Sequence, residues 1–108
     1  MKTGAEIIAE ERQRQIAVEG WTAEHDDTHE GGELALAALG YCFHAAMQTT
    51  AEDEGMGVET DYRPDWWPFE RRLWKPSASR VRNLAIAGAL IAAEIDRLQR
   101  AEKSEVAP

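Results

Sequence analysis

Over residues 34–51 the chain carries no Asp, Glu, Lys or Arg, although 30% of the whole sequence is charged. Within this uncharged stretch Leu34, Ala35, Ala38, Leu39, Cys42, Ala45 and Ala46 recur at helical spacing, with Ala37 and Tyr41 beside them. Alanine is the strongest intrinsic helix former, and its small side chain lets a second helix approach closely. The stretch falls short of the roughly 20 apolar residues that span a bilayer. It therefore predicts a central helix, from about His29 to Thr50, and no membrane partner. Asp27 or Thr28 is the expected cap, and Gly31-Gly32 weakens the first turn.

Two further helices are legible. From Thr3 to Val18, Ala5, Ile8 and Ile16 make a sparse apolar stripe. Thr3 and Glu6 have the spacing of a capping box, and Gly20 is a natural stop. Beyond Pro76, Ser77 or Ser79 can cap a helix on which Val81, Leu84, Gly88, Ile91, Ile95 and Leu98 form a near-heptad stripe. Ile86, Leu90 and several alanines widen it, which predicts burial on more than one side. Arg97, Arg100 and Lys103 suit the negative end of its dipole, and residues 103–108 are expected to fray. A long connection, residues 52–78, joins the last two helices. The run Glu52-Asp53-Glu54-Gly55-Met56-Gly57 reads as mobile. The second half holds Trp66, Trp67 and Trp74, too much aromatic surface to stay in water, so it should pack on the bundle as a lid or core edge. No internal repeat or strand-like alternation is present. The expectation is one all-α domain over residues 1–108, a bundle of about three main helices. A chain this short buries more apolar surface by self-association, so a homo-oligomer is expected too.

The net charge is −8, which makes direct nucleic-acid binding a poor prospect, because that affinity comes mainly from neutralising phosphates. Cys42 is the one cysteine. It excludes a disulfide or a cysteine-based zinc site within one chain, and its apolar surroundings read as a core position. Met1–Glu6 lacks the apolar core of a signal peptide, so the expected location is the cytoplasm.

The densest chemistry is the run Glu24-His25-Asp26-Asp27-Thr28-His29-Glu30, followed by Glu33. Hard divalent cations such as Mg²⁺ or Mn²⁺ take oxygen ligands, which makes Glu24, Asp26, Asp27, Glu30 and Glu33 candidate metal ligands. Glu30 and Glu33, three apart, would share a helical face. His25 and His29 are candidate ligands or general bases, since neutral imidazole suits both roles. Carboxylates at a helix start also cap N–H groups and favour the dipole, so the structural reading stands beside the metal one. Mutual repulsion within the run needs an offset from a metal or from arginines. Arg12-Gln13-Arg14-Gln15, with Arg80 and Arg82, could supply it, or could face a ligand phosphate. Arg12 is the first choice for that role. Trp21, Trp74 and Lys75 complete the candidate ligand-binding set, although each tryptophan could equally close the core.

Several motifs taken together resemble a family of small phage and prophage proteins of unassigned function: Glu11-Arg12-Gln13-Arg14-Gln15, Glu19-Gly20-Trp21-Thr22-x-Glu24-His25-Asp26-Asp27-x-His29, Gly32-Glu33-Leu34-Ala35, Trp74-Lys75-Pro76 and Ala89-Leu90-Ile91-x-Ala93-Glu94-Ile95. The likeness implies a phage setting in a host cell. A weaker likeness is to the all-α NTP pyrophosphatases of the MazG-like group, whose first Glu-x-x-Glu motif is met by Glu30-Gly31-Gly32-Glu33. Their second motif, Glu-x-x-Asp, is not met, since Glu94-Ile95-Asp96 has the wrong spacing. The expected function is binding of a nucleotide or related phosphate-bearing small molecule, with metal-dependent hydrolysis as an extension. The alternative is a non-enzymatic anti-defence protein that sequesters a signalling nucleotide or docks its acidic surface on a host protein.

Overall fold

The computed structural model describes the backbone of residues 1–53 and 63–106. It is all-helical there, with no strand among the described residues. The elements in order are α1 (Gly4–Ala17), α2 (Ala23–Asp27), α3 (Glu33–Asp53), a 3₁₀ turn at Arg71–Leu73 and α4 (Arg80–Val106). None of the helices is long and apolar enough to cross a membrane.

Local chemistry accounts for most of the boundaries. Thr3 Oγ1 accepts from the Glu6 N–H at 3.2 Å while the Glu6 carboxylate accepts from the Thr3 N–H, so the capping box is made. Gly20, at φ 76°, reverses the chain after α1. Ser79 caps α4 through its hydroxyl, which accepts from the Arg82 N–H at 3.2 Å. The central helix starts later than its apolar pattern predicts. Thr22 caps the separate short helix α2, which carries Glu24–Asp27, by accepting from the His25 N–H. Gly32, at φ 84°, then turns the chain into α3. Glu30 is thus outside any helix, and Glu30 and Glu33 do not share a helical face as the spacing alone implies.

α3 and α4 are antiparallel, because Gln48 near the end of one meets Asn83 near the start of the other. The Asn83 Nδ2 donates to Gln48 Oε1 at 2.9 Å, and Gln48 Nε2 donates to the carbonyls of Ser77 and Ala78. Asn83 is fully buried and both faces of its amide are used, since its Oδ1 accepts from the Ser77 N–H at 2.8 Å. This polar clamp ties the end of the connection to both helices.

The core is built of small helix residues and large connection residues. Leu34, Ala37, Ala38 and Tyr41 from α3 meet Ile86, Ala87, Leu90 and Ala93 from α4, with Trp67 and Trp74 laid over them. Gly40 makes room for both indoles: a Cβ there would lie 3.2 Å from Trp74 and 3.4 Å from Trp67. The aromatic half of the connection therefore packs as expected, although Trp66 stays 42% exposed. The first half, residues 54–57 of the run read as mobile, lies outside the described residues, as do residues 107–108 of the tail. α1 lies on α4, where Ile8 occupies the space above Gly88.

The heptad stripe on α4 faces the other way from its predicted role. Val81, Leu84, Ile91, Ile95 and Leu98 are 48–61% exposed, while the alanine-rich side is buried. Cys42, read from its neighbours as a core residue, is also exposed. The reason is steric in both cases. The connection delivers two indoles to one side of the hairpin, and only the side lined with alanine and glycine has room for them.

Candidate functional site

The acidic run is held mostly by arginines. Asp26 is completely buried. Its carboxylate accepts from Arg12 Nη2 at 3.3 Å and lies 2.9 Å from His25 Nδ1. Arg12 also approaches Asp96 of α4 at 3.8 Å. Asp27 takes a forked pair of hydrogen bonds from Arg100 Nη2 and Nε, at 2.8 and 3.1 Å, and Arg100 reaches the Ala23 carbonyl as well. These contacts strap α2 across α1 and α4. Glu33 lies 3.4 Å from His29 Nδ1, and Glu24 and Glu30 are exposed. Among the described residues, no three His, Cys, Asp or Glu side chains are gathered so as to hold a metal ion. The five carboxylates predicted as one ligand set are thus distributed rather than convergent. Arg12, expected to face a ligand phosphate, turns Nη2 to Asp26, while its buried Nη1 has no hydrogen-bond partner among the described residues.

The two histidines do come together. The His25 ring stacks parallel to Trp21 at 5.9 Å between centroids, and meets His29 edge-on at 5.0 Å. His29 in turn meets Phe69 edge-on at 5.0 Å. With Pro68, Glu70 and Leu73 these rings line a cavity of about 350 Å³ between α2 and the connection. The Asp26 carboxylate beside Nδ1 favours the tautomer with its proton there, which leaves Nε2 of His25 as the basic nitrogen.

A second cavity, of about 230 Å³, lies against the first and shares Trp21 and Leu73 with it. Glu11, Arg14, Gln15, Tyr41, Lys75 and Arg82 are among its other walls. Glu11 is 3% exposed and receives both Arg14, through Nε and Nη2, and Arg82, through Nη1. Burial raises the Glu11 carboxyl pKa, but hydrogen bonds from Arg14 and Arg82 outweigh it and hold the group below its ordinary value. The same pairing raises Arg14. Arg14 also donates to Glu19 at 2.9 Å, so its fork is fully occupied. Lys75 is different: its ammonium group is exposed and makes no ion pair among the described residues. Arg82 spends only Nη1 on Glu11. Gln15 is completely buried and its Oε1 has no hydrogen-bond partner among the described residues. Tyr41 accepts from the Lys75 N–H at 3.1 Å, and burial pushes its hydroxyl pKa up, so it stays a neutral donor. The cavity thus offers cationic donors and one unused acceptor.

Of the residues picked from sequence, Trp21, His25, His29 and Lys75 line this double cleft. Trp74 does its work in the core at 9% exposure. Arg14, Gln15 and Arg82 belong to the set that the sequence offers as facing a carboxylate or a phosphate, whereas Glu11, Tyr41 and Leu73 carry no such signal. The i, i+3 spacing of Glu11 and Arg14 was a local signal for their pairing. Nothing local joins them to Arg82, 71 residues away from Glu11. Comparison of the chain with protein-family models, with curated proteins and with solved structures finds no match.

Proposed function

We propose that the chain binds a nucleotide or a related phosphate-bearing small molecule in the double cleft around Trp21. The observation that carries this reading is the adjacency of two unlike cavities sharing Trp21 and Leu73. One is walled by indole, imidazole and phenyl rings, which suit a flat heterocycle by stacking. The other presents Lys75 and the unspent donors of Arg82, which suit a phosphate. Gln15 Oε1 would take a hydroxyl or amino group of the same ligand. Such pockets combine apolar walls with a few fixed polar groups. A thermal-shift and calorimetric screen of nucleoside mono-, di- and triphosphates and cyclic dinucleotides tests it, since a ligand selective for the folded state raises its stability. If no member of that panel binds, with Mg²⁺, Mn²⁺ or EDTA present, the reading fails.

Hydrolysis of the bound ligand is a second reading, favoured by the Asp26–His25 pair. A buried carboxylate on Nδ1 orients the ring and leaves Nε2 to take a proton from water. A divalent ion would enter with the phosphates and would neutralise their charge. Phosphate release that needs Mg²⁺ or Mn²⁺ and is lost in His25→Gln supports turnover. Tight binding that survives EDTA and leaves the ligand intact supports sequestration, the anti-defence role that the phage-family resemblance makes natural.

A further inference from the structure

The cationic side of the double cleft has a charge that can be counted. Its walls carry three cations, Arg14, Lys75 and Arg82, against two carboxylates, Glu11 and Glu19. Burial alone would raise the Glu11 pKa, but hydrogen bonds from Arg14 and Arg82 keep it below its ordinary value, so Glu11 is ionised. Burial keeps the Tyr41 hydroxyl neutral. The wall is left with one positive charge in excess. Its donors are equally few. Arg14 divides its fork between Glu11 and Glu19, and Arg82 gives Nη1 to Glu11. The Lys75 ammonium and the rest of the Arg82 fork remain for a ligand. The ring-lined cavity next door adds no cation: among the described residues no Lys or Arg lines it, and its carboxylate, Glu70, accepts from Arg72.

We propose, resting on the nucleotide reading above, that the cleft selects a nucleotide with a single phosphate group over the di- and triphosphate of the same nucleoside. One phosphate monoester carries about −1.5 to −2 at neutral pH, which this wall offsets to within about one charge. Each further phosphate brings at least one more negative charge and finds no donor left to meet it. It would face solvent beside a chain of net charge −8, or enter the ring-lined cavity, where it loses water and gains no partner. Gln15 limits the ligand in the same way. It is completely buried on the cavity wall, and its Oε1 has no hydrogen-bond partner among the described residues. A carboxamide oxygen only accepts. An ionised phosphate oxygen has no proton to give it, whereas a sugar hydroxyl does. The group beside the phosphate should therefore be the sugar and not a second phosphate.

The test is calorimetry on the full chain in EDTA, with the 5′-mono-, di- and triphosphates of the common ribonucleosides and with cyclic dinucleotides. For the nucleoside that binds, the monophosphate should be at least about tenfold tighter than the triphosphate, the size of one or two like-charge contacts in water. Glu19→Gln removes an exposed carboxylate from the cavity wall and raises the excess to two charges. With its helical circular dichroism unchanged, this variant should narrow that ratio severalfold. A native chain that takes a di- or triphosphate or a cyclic dinucleotide at least as tightly as the monophosphate overturns the selection and leaves the nucleotide reading standing. So does a ratio that the folded Glu19→Gln variant leaves unchanged. If no nucleotide of any phosphate count binds, the selection and the reading beneath it fall together.

Discussion

The segment around α2 and the cleft beside it are both dense in charge, but they spend it differently. At α2 the acids are matched by arginines: Asp26 by Arg12, and Asp27 by Arg100. In the cleft, Glu11 gathers two arginines, while Lys75 and most of the Arg82 fork stay unspent beside Trp21. Charge density therefore marks where the chain is strapped together, and the unspent donors of the cleft are what the proposed ligand reading rests on. The comparison also separates burial from conspicuousness. Asp26 is fully buried, whereas Asp27 is exposed one residue later.

The largest effect should come from Asp26→Ala. It strands the nearly buried Arg12 guanidinium and releases His25, and breaking one partner of a buried pair costs about 3–5 kcal/mol. Urea unfolding of this variant should show the midpoint falling with little change in slope. Equal losses in Asp26→Ala and Asp27→Ala would break the distinction drawn between the two acids.

Lys75→Ala should leave stability within about 0.5 kcal/mol while weakening nucleotide binding by the worth of a charged hydrogen bond, about 1.5–3 kcal/mol. That is roughly tenfold to a hundredfold in Kd, read by calorimetry. A variant that binds as well as the native chain removes Lys75 from the site.

Acid should act on the uncharged helix before it acts on the cleft. His44 is buried, and burial lowers its pKa from the ordinary 6.5. The unfolded chain then binds more protons as pH falls through 6.5, so stability drops there until His44 titrates in the folded state. Glu11 is held below 4.5, so its contribution is kept above that pH and lost as pH falls through the lower folded value. Thermal unfolding followed from pH 7.5 to 4 should show a decline beginning near 6.5 that His44→Gln flattens. An unchanged decline in that variant assigns it elsewhere.

The smallest effect is expected for Asp27→Ala. It removes an exposed bridge to Arg100, and such pairs contribute about 0–1 kcal/mol. The loss should shrink further in high salt.

Local rules determined much of this protein without any fold. The capping box at Thr3 and Glu6, the cap at Ser79 and the alanine-rich run of α3 each depend on neighbours within four residues, so they are readable along the chain. The short helix α2 was missed because five residues carry too little periodicity to stand out, and its acids looked like the cap of the next helix. Part of the site was readable in the same way: Trp21, His25, His29 and Lys75 are chemically distinctive wherever they sit. Tertiary structure alone decided two things. It chose which stripe of α4 goes inside, because periodicity groups residues on a face but cannot say what that face will meet. Trp67 and Trp74, arriving from the connection, require the side with Ala87, Ala93 and, across on α3, Gly40. It also assembled the cationic cavity, since Glu11, Tyr41, Lys75 and Arg82 come from α1, α3, the connection and α4 and meet only when these four pieces pack.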